Sequence, residues 1–117
     1  MDHPRDMVER TVIETNKNVG ASLWIAAQKG QVTVIEYLLN QGAADLNETD
    51  VDGRTPLHHA AQNGHLAVVK YLLSQSAIID TTDNQYATPL SLAAQGGYLE
   101  IVNILVKAQH QASKEIN

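Results

Sequence analysis

The sequence contains no cysteine, no phenylalanine, a single tryptophan and three prolines. Without cysteine there is neither a disulfide framework nor a cysteine-ligated zinc site. Aromatic residues make up only 4% of the chain, so a core must be built from Leu, Val, Ile and Ala, as small helices allow. No apolar run approaches the roughly 20 residues that cross a bilayer as a helix. The start, Met1-Asp2-His3-Pro4-Arg5-Asp6, lacks the apolar centre of a signal peptide. Positive charge is short as well. Eight Lys and Arg stand against 13 Asp and Glu, and the net charge of −5 argues against general nucleic-acid binding and against attraction to anionic membranes. The expectation is a soluble cytoplasmic or nuclear protein that binds neither nucleic acid nor membrane. At 117 residues and 44% hydrophobic content, a single domain with its own core is expected.

What is present is most concentrated in Thr55-Pro56-Leu57-His58-His59-Ala60-Ala61-Gln62-Asn63-Gly64-His65. Thr55 can cap a helix through its hydroxyl, and Pro56 suits the first helical position, where a missing N–H costs nothing. Leu57, Ala60 and Ala61 recur at helical spacing, with small residues where a second helix can approach closely. Asn63-Gly64 closes that helix with a pair that tolerates positive φ. Leu66, Val68, Val69, Leu72 and Leu73 then begin a second helical apolar face. The unit is a helical hairpin announced by the turn Asp52-Gly53, and it cannot bury its own faces alone.

The unit recurs. Thr88-Pro89-Leu90 lies 33 residues after Thr55-Pro56-Leu57, and Ala93-Ala94, Gly97 and Leu105 follow Ala60-Ala61, Gly64 and Leu72 by the same offset. Ala26-Ala27, Gly30, Tyr37 and Leu38-Leu39 precede their counterparts by 34, the extra residue falling in the loop Gly42-Ala43-Ala44-Asp45. A period near 33 with T-P-L-H-x-A resembles the ankyrin-repeat family over roughly residues 16–112. The resemblance implies an all-α solenoid of stacked helix-turn-helix units with hairpin-like connecting loops. Repeats are expected at 16–49, 50–82 and 83–112, behind an N-terminal cap segment, 1–15, and ahead of a polar tail, 113–117, that frays. Helices are expected at Ser22–Lys29, Val32–Asn40, Pro56–Asn63, Leu66–Ser74, Pro89–Gln95 and Leu99–Gln109.

Several positions depart from the pattern. Trp24 stands in the place of the motif histidine, either packed under the N-terminal segment or offered to a partner. Ser91 replaces that histidine in the third repeat and can keep only part of its hydrogen bonding. Tyr86 stands where the turn glycine is expected, so the turn is strained there or takes another geometry. Ile101, Val102, Ile104, Leu105 and Val106 surround much of the last helix, so either the tail folds over that end or apolar surface remains there for another copy, a partner or further repeats. Tyr37 and Tyr71, at core-adjacent spacing, read as packing residues.

Catalysis has little support. His58, His59 and His65 are close in sequence, and His58 with Asp50 or Asp52 has the composition of a base and its orienting carboxylate. In the family pattern, however, His58 belongs to the turn-helix junction and His65 to the inter-helix turn. The chain has no H-E-x-x-H, no nucleophile elbow and no phosphate-cradling loop. No catalytic residue, metal ligand or cofactor is therefore assigned.

The resemblance implies instead a protein-binding surface on the concave side, made by loop tips and the exposed side of each first helix. In the first repeat this is Lys17, Asn18, Gly20, Ile25, Gln28 and Lys29. In the second it is Val51, Asp52, Arg54, His59, Gln62 and Asn63, and in the third Asn84, Gln85, Ala87, Leu92, Gln95 and Gly96. Asp45, Glu48, Asp50, Asp52, Asp80 and Asp83 make the tips acidic, which suits a partner protein with a basic rim. Asp50 and Asp83 have a structural reading too, because Asx side chains bond turn backbones. A monomer is favoured over a homo-oligomer, the alternative being association through the apolar C-terminal end.

Overall fold

Two Thr-Pro pairs decide where helices begin. The residue before a proline is pushed into extended geometry, and Thr55 (ψ 168°) and Thr88 (ψ 163°) adopt it, each capping the helix that starts at the following proline. In the computed structural model, which describes residues 19–42 and 44–116 and the side chains of 23–42 and 44–112, six helices form three antiparallel pairs. They are α1 (Val19–Lys29) and α2 (Val32–Asn40), α3 (Pro56–Gln62) and α4 (Leu66–Ser74), and α5 (Pro89–Gly96) and α6 (Leu99–Ile116). No strand occurs among the described residues. The fold is all-α.

Stacking follows the repeat register. First helices pack in the order α1, α3, α5 and second helices in the order α2, α4, α6. The small residues Ala26, Ala60 and Ala93, all 2% exposed or less, let the first helices lie close together. α3 is covered from both sides, and every residue from Pro56 to Ala61 is buried. Leu38, Leu72 and Leu105 occupy one register position on the second helices and are likewise buried. Repetition gives the molecule its elongated shape, 49 × 28 × 25 Å.

The last pair is covered on one side only among the described residues. Ala27 and Ala61 are fully buried, whereas Ala94, at the same position, is exposed. Leu66 is half-buried, while its counterpart Leu99 is 78% exposed. Val106 is exposed too, yet Ile101 and Leu105 are buried and Val102 and Ile104 pack on the core. The apolar end face is thus smaller than the sequence pattern suggests, because α6 turns most of its aliphatic residues inward.

α3 and α5 end within one residue of expectation, at Gln62 and Gly96, and two boundaries differ by more. α1 is already helical at Val19 rather than beginning at Ser22, since nothing before Ser22 imposes the extended geometry that Pro56 and Pro89 impose. α6 continues to Ile116 instead of ending at Gln109, through most of the tail expected to fray. Ala108, Gln111, Ala112, Lys114 and Glu115 are good helix formers, and no Gly or Pro interrupts them. The expected cap segment, 1–15, lies outside the described residues, as do Lys17 and Asn18.

Candidate functional site

The loop tips are built on aspartate. Oδ1 of Asp50 accepts from the N–H groups of Asp52 (2.9 Å) and Arg54 (3.0 Å), and Oδ1 of Asp83 accepts from those of Gln85 (2.8 Å) and Ala87 (2.9 Å). Each carboxylate closes its own turn and leaves Oδ2 for another task. In Asp83 that oxygen accepts from Nε of Arg54 at 3.1 Å, tying the second tip to the third. In Asp50 it meets Nε2 of His59 at 2.7 Å. Burial, the largest single influence on both carboxyls, raises their pKa, but the hydrogen bonds outweigh it. The N–H groups of Ala87 and Gln85 with the Arg54 guanidinium hold Asp83 below the usual carboxylate range. Asp50 is held down by the N–H groups of Arg54 and Asp52 and by His59.

His58 locks one repeat to the next. Its Nδ1 accepts from the Thr55 N–H at 3.1 Å, so the ring proton sits on Nε2, which donates to the Ala87 carbonyl at 2.9 Å. The ring is fully buried. Burial pushes its pKa below the usual imidazole value, with the Ala87 carbonyl pulling partly the other way. Ser91, in the equivalent place, keeps only the local half of this set, bonding the backbone N–H and carbonyl of Thr88. His65 donates through Nε2 to the carbonyl of Gln28 at 2.8 Å, reaching back to the first repeat from the inter-helix turn. Its counterpart Tyr98 lays a ring against Gly64, where a Cβ would stand 2.5 Å from it.

His59 corrects the sequence-based expectation of an exposed contact residue. Only 6% of it is exposed, and its ring stacks on Trp24 with centroids 5.0 Å apart. Nδ1 is buried with no partner among the described residues. Among the described residues the histidine-carboxylate pair is therefore His59 with Asp50, not His58 with either aspartate. It is sealed under Trp24, so neither ring offers its full surface to a partner. Sequence reasoning missed this cluster, although Asp50 in the turn nine residues ahead of a first-helix histidine was a usable signal. Leu92, also expected at the surface, is 5% exposed and serves as wall rather than contact. Among the described residues no cluster of three His, Asp or Glu side chains could hold a metal ion.

A groove of about 670 Å³ opens between the second and third repeats. It brings together six of the residues expected at the partner surface: Arg54, Gln62, Gln85, Ala87, Leu92 and Gln95. Tyr86, Ser91 and Ala94, which were not expected there, complete the lining. Arg54 forms the floor, held by Asp83 on one side and by Oε1 of Gln62, 2.7 Å from Nη1, on the other. It is the one charged side chain in the lining, and Asp83 offsets it from beneath.

The other expected residues lie apart from this groove. Gln28 and Lys29 are exposed at the end of α1, and Asn63 is exposed after α3. Val51 and Asp52 are exposed on the second tip. Asn84 fixes that tip against the third by donating from Nδ2 to the Val51 carbonyl, while its N–H donates to the Asp52 carbonyl.

Residues 6–117 match the family model for ankyrin repeats, in three copies. The chain belongs to the ankyrin-repeat family. No curated protein matches it. Ankyrin repeats are generally modules of protein–protein interaction and are typically non-catalytic. The aspartate-built tips and the first-helix stack are thus the framework of an ankyrin surface.

Proposed function

We propose that this ankyrin domain is a non-catalytic, cytoplasmic binding module that holds a segment of a partner protein in the groove between its second and third repeats. The groove's lining carries this reading. Gln62, Gln85 and Gln95 present amides that both donate and accept, as a partner's main chain requires, around a small apolar wall of Ala87, Leu92 and Ala94. Through Arg54, which donates to both, Asp83 holds the Gln62 amide before any partner arrives, so less ordering entropy opposes association there. The exposed Asp52 and Asp80 at the rim favour a partner with basic flanks. Such rim charges steer encounter, so added salt slows association more than it speeds dissociation.

Affinity capture from cell extract, run in parallel with the wild type and a joint Gln62→Ala, Gln85→Ala, Gln95→Ala variant, tests the assignment. Proteins held by the wild type and lost by a variant of unchanged melting temperature are the expected result. An identical set on both baits places the contact elsewhere. A second reading, association through the last helix pair, rests on the exposure of Leu99 (78%) and Val106 (47%).

A further inference from the structure

Among the described residues, two other than glycine have left-handed backbone, Ser76 (φ 69°) and Tyr86 (φ 65°). A side chain is strained there, and an aromatic one is a genuine outlier. Tyr86 ends the turn that begins at Asp83, its N–H donating to the Asp83 carbonyl, as Gly53 ends the turn from Asp50. At Gly53 a Cβ would stand 2.6 Å from Oδ1 of Asn84, so the following tip demands glycine. No such tip is stacked on Tyr86 among the described residues, and the position accepts a large side chain at the cost of backbone strain alone. That strain gains nothing visible from packing, because Tyr86 is 87% exposed. Its ring stands instead on the lip of the groove.

Strain kept at an exposed site calls for a use at that site. Resting on the function proposed above, we infer that Tyr86 is the anchor of the groove, and that its ring receives an arginine or lysine side chain from an extended partner segment. The charge balance selects a cation. The chain carries a net −5, Asp52 is exposed on the tip that Asn84 ties to this one, and the lining's single cation, Arg54, is already paired with Asp83. A cation over a tyrosine face is attracted by the ring quadrupole, and a rigid aromatic with two rotatable bonds loses little entropy on contact. The glutamine amides then bond the segment's main chain on either side.

The test uses the full chain as bait for a phage-displayed library of random linear peptides, followed by titration of the best synthetic peptide against purified variants. The expected peptides carry an arginine or lysine whose change to methionine weakens binding at least about tenfold, the scale of losing a hot-spot contact. Tyr86→Gly relieves the backbone and leaves the melting temperature equal or higher, yet loses a similar factor in affinity. Tyr86→Phe keeps the ring and binds within about threefold of the wild type. Ser76→Gly relieves the same kind of strain away from the groove and leaves affinity unchanged. Selected peptides without a basic residue, or full affinity in Tyr86→Gly alongside loss in Gln85→Ala, overturn the anchor while leaving the groove standing. Peptides unaffected by either change overturn the groove as well.

Discussion

Three polar contacts converge on the imidazole of His58, and they fix both its tautomer and its charge. Because Nδ1 accepts from the Thr55 N–H, a second ring proton has nowhere to go without breaking the cap. Burial lowers the folded-state pKa, so between the unfolded value of about 6.5 and that lower value the unfolded chain binds more protons. Stability is therefore fully present above about pH 6.5 and is lost as pH falls through the folded pKa. Urea midpoints measured from pH 8 to 5 should decline toward acid in the wild type and decline less in His58→Gln, which should also be weaker at pH 8 by about 1–3 kcal/mol. Equal pH slopes would remove His58 from this role. At this scale the sequence was readable where a residue obeys a local rule: Thr55 and Pro56 start a helix, Asp50 and Asp83 close turns, and His58 is structural. It was not readable where a contact joins distant positions. Apart from Asp50 in the preceding turn, nothing local separates His59, buried on Asp50 and Trp24, from an exposed histidine, and nothing local shows that Arg54 is engaged by Asp83.

Among the elements, α3 carries most of the stack, packed on α1 and α5, and α4 joins it by packing on α3 within its pair and on α2 and α6 across pairs. Leu72 is fully buried on α4. Leu72→Ala removes that burial and leaves a cavity with helices on several sides, which should cost about 2–5 kcal/mol. The loss should appear as one cooperative transition at a lower melting temperature, because α4 belongs to both of its neighbours' interfaces. An unchanged melting temperature would mean that the helices stack in another register. Helix positions were legible because the period near 33 and the 3.6-residue apolar spacing agree, and α2 and α4 fall where the pattern puts them. The ends of α1 and α6 were less so. One lacks the proline that sharpens a start, and the other runs on through polar residues whose helix propensity outweighs their likeness to a tail.

For the whole molecule, rigidity and the proposed recognition meet at the same bonds. His58 to the Ala87 carbonyl and Arg54 to Asp83 both join the second repeat to the third, and the groove lies at that junction. Changing Arg54 thus alters the framework together with the surface, and for that reason the glutamines and Tyr86 are the better probes of binding. A concave binding surface was a family expectation, and six of the residues assigned to it line one groove. Tyr86 was legible only as an anomaly, because its exposure depends on the tip that is not stacked above it. The most direct measurement is a two-dimensional NMR titration of the isotope-labelled chain with a peptide selected for binding to it. The account predicts shifts concentrated in the side-chain amides of Gln62, Gln85 and Gln95 and in the Tyr86 ring. Shifts confined to Leu99, Val106 and their neighbours, with those amides unmoved, would contradict it.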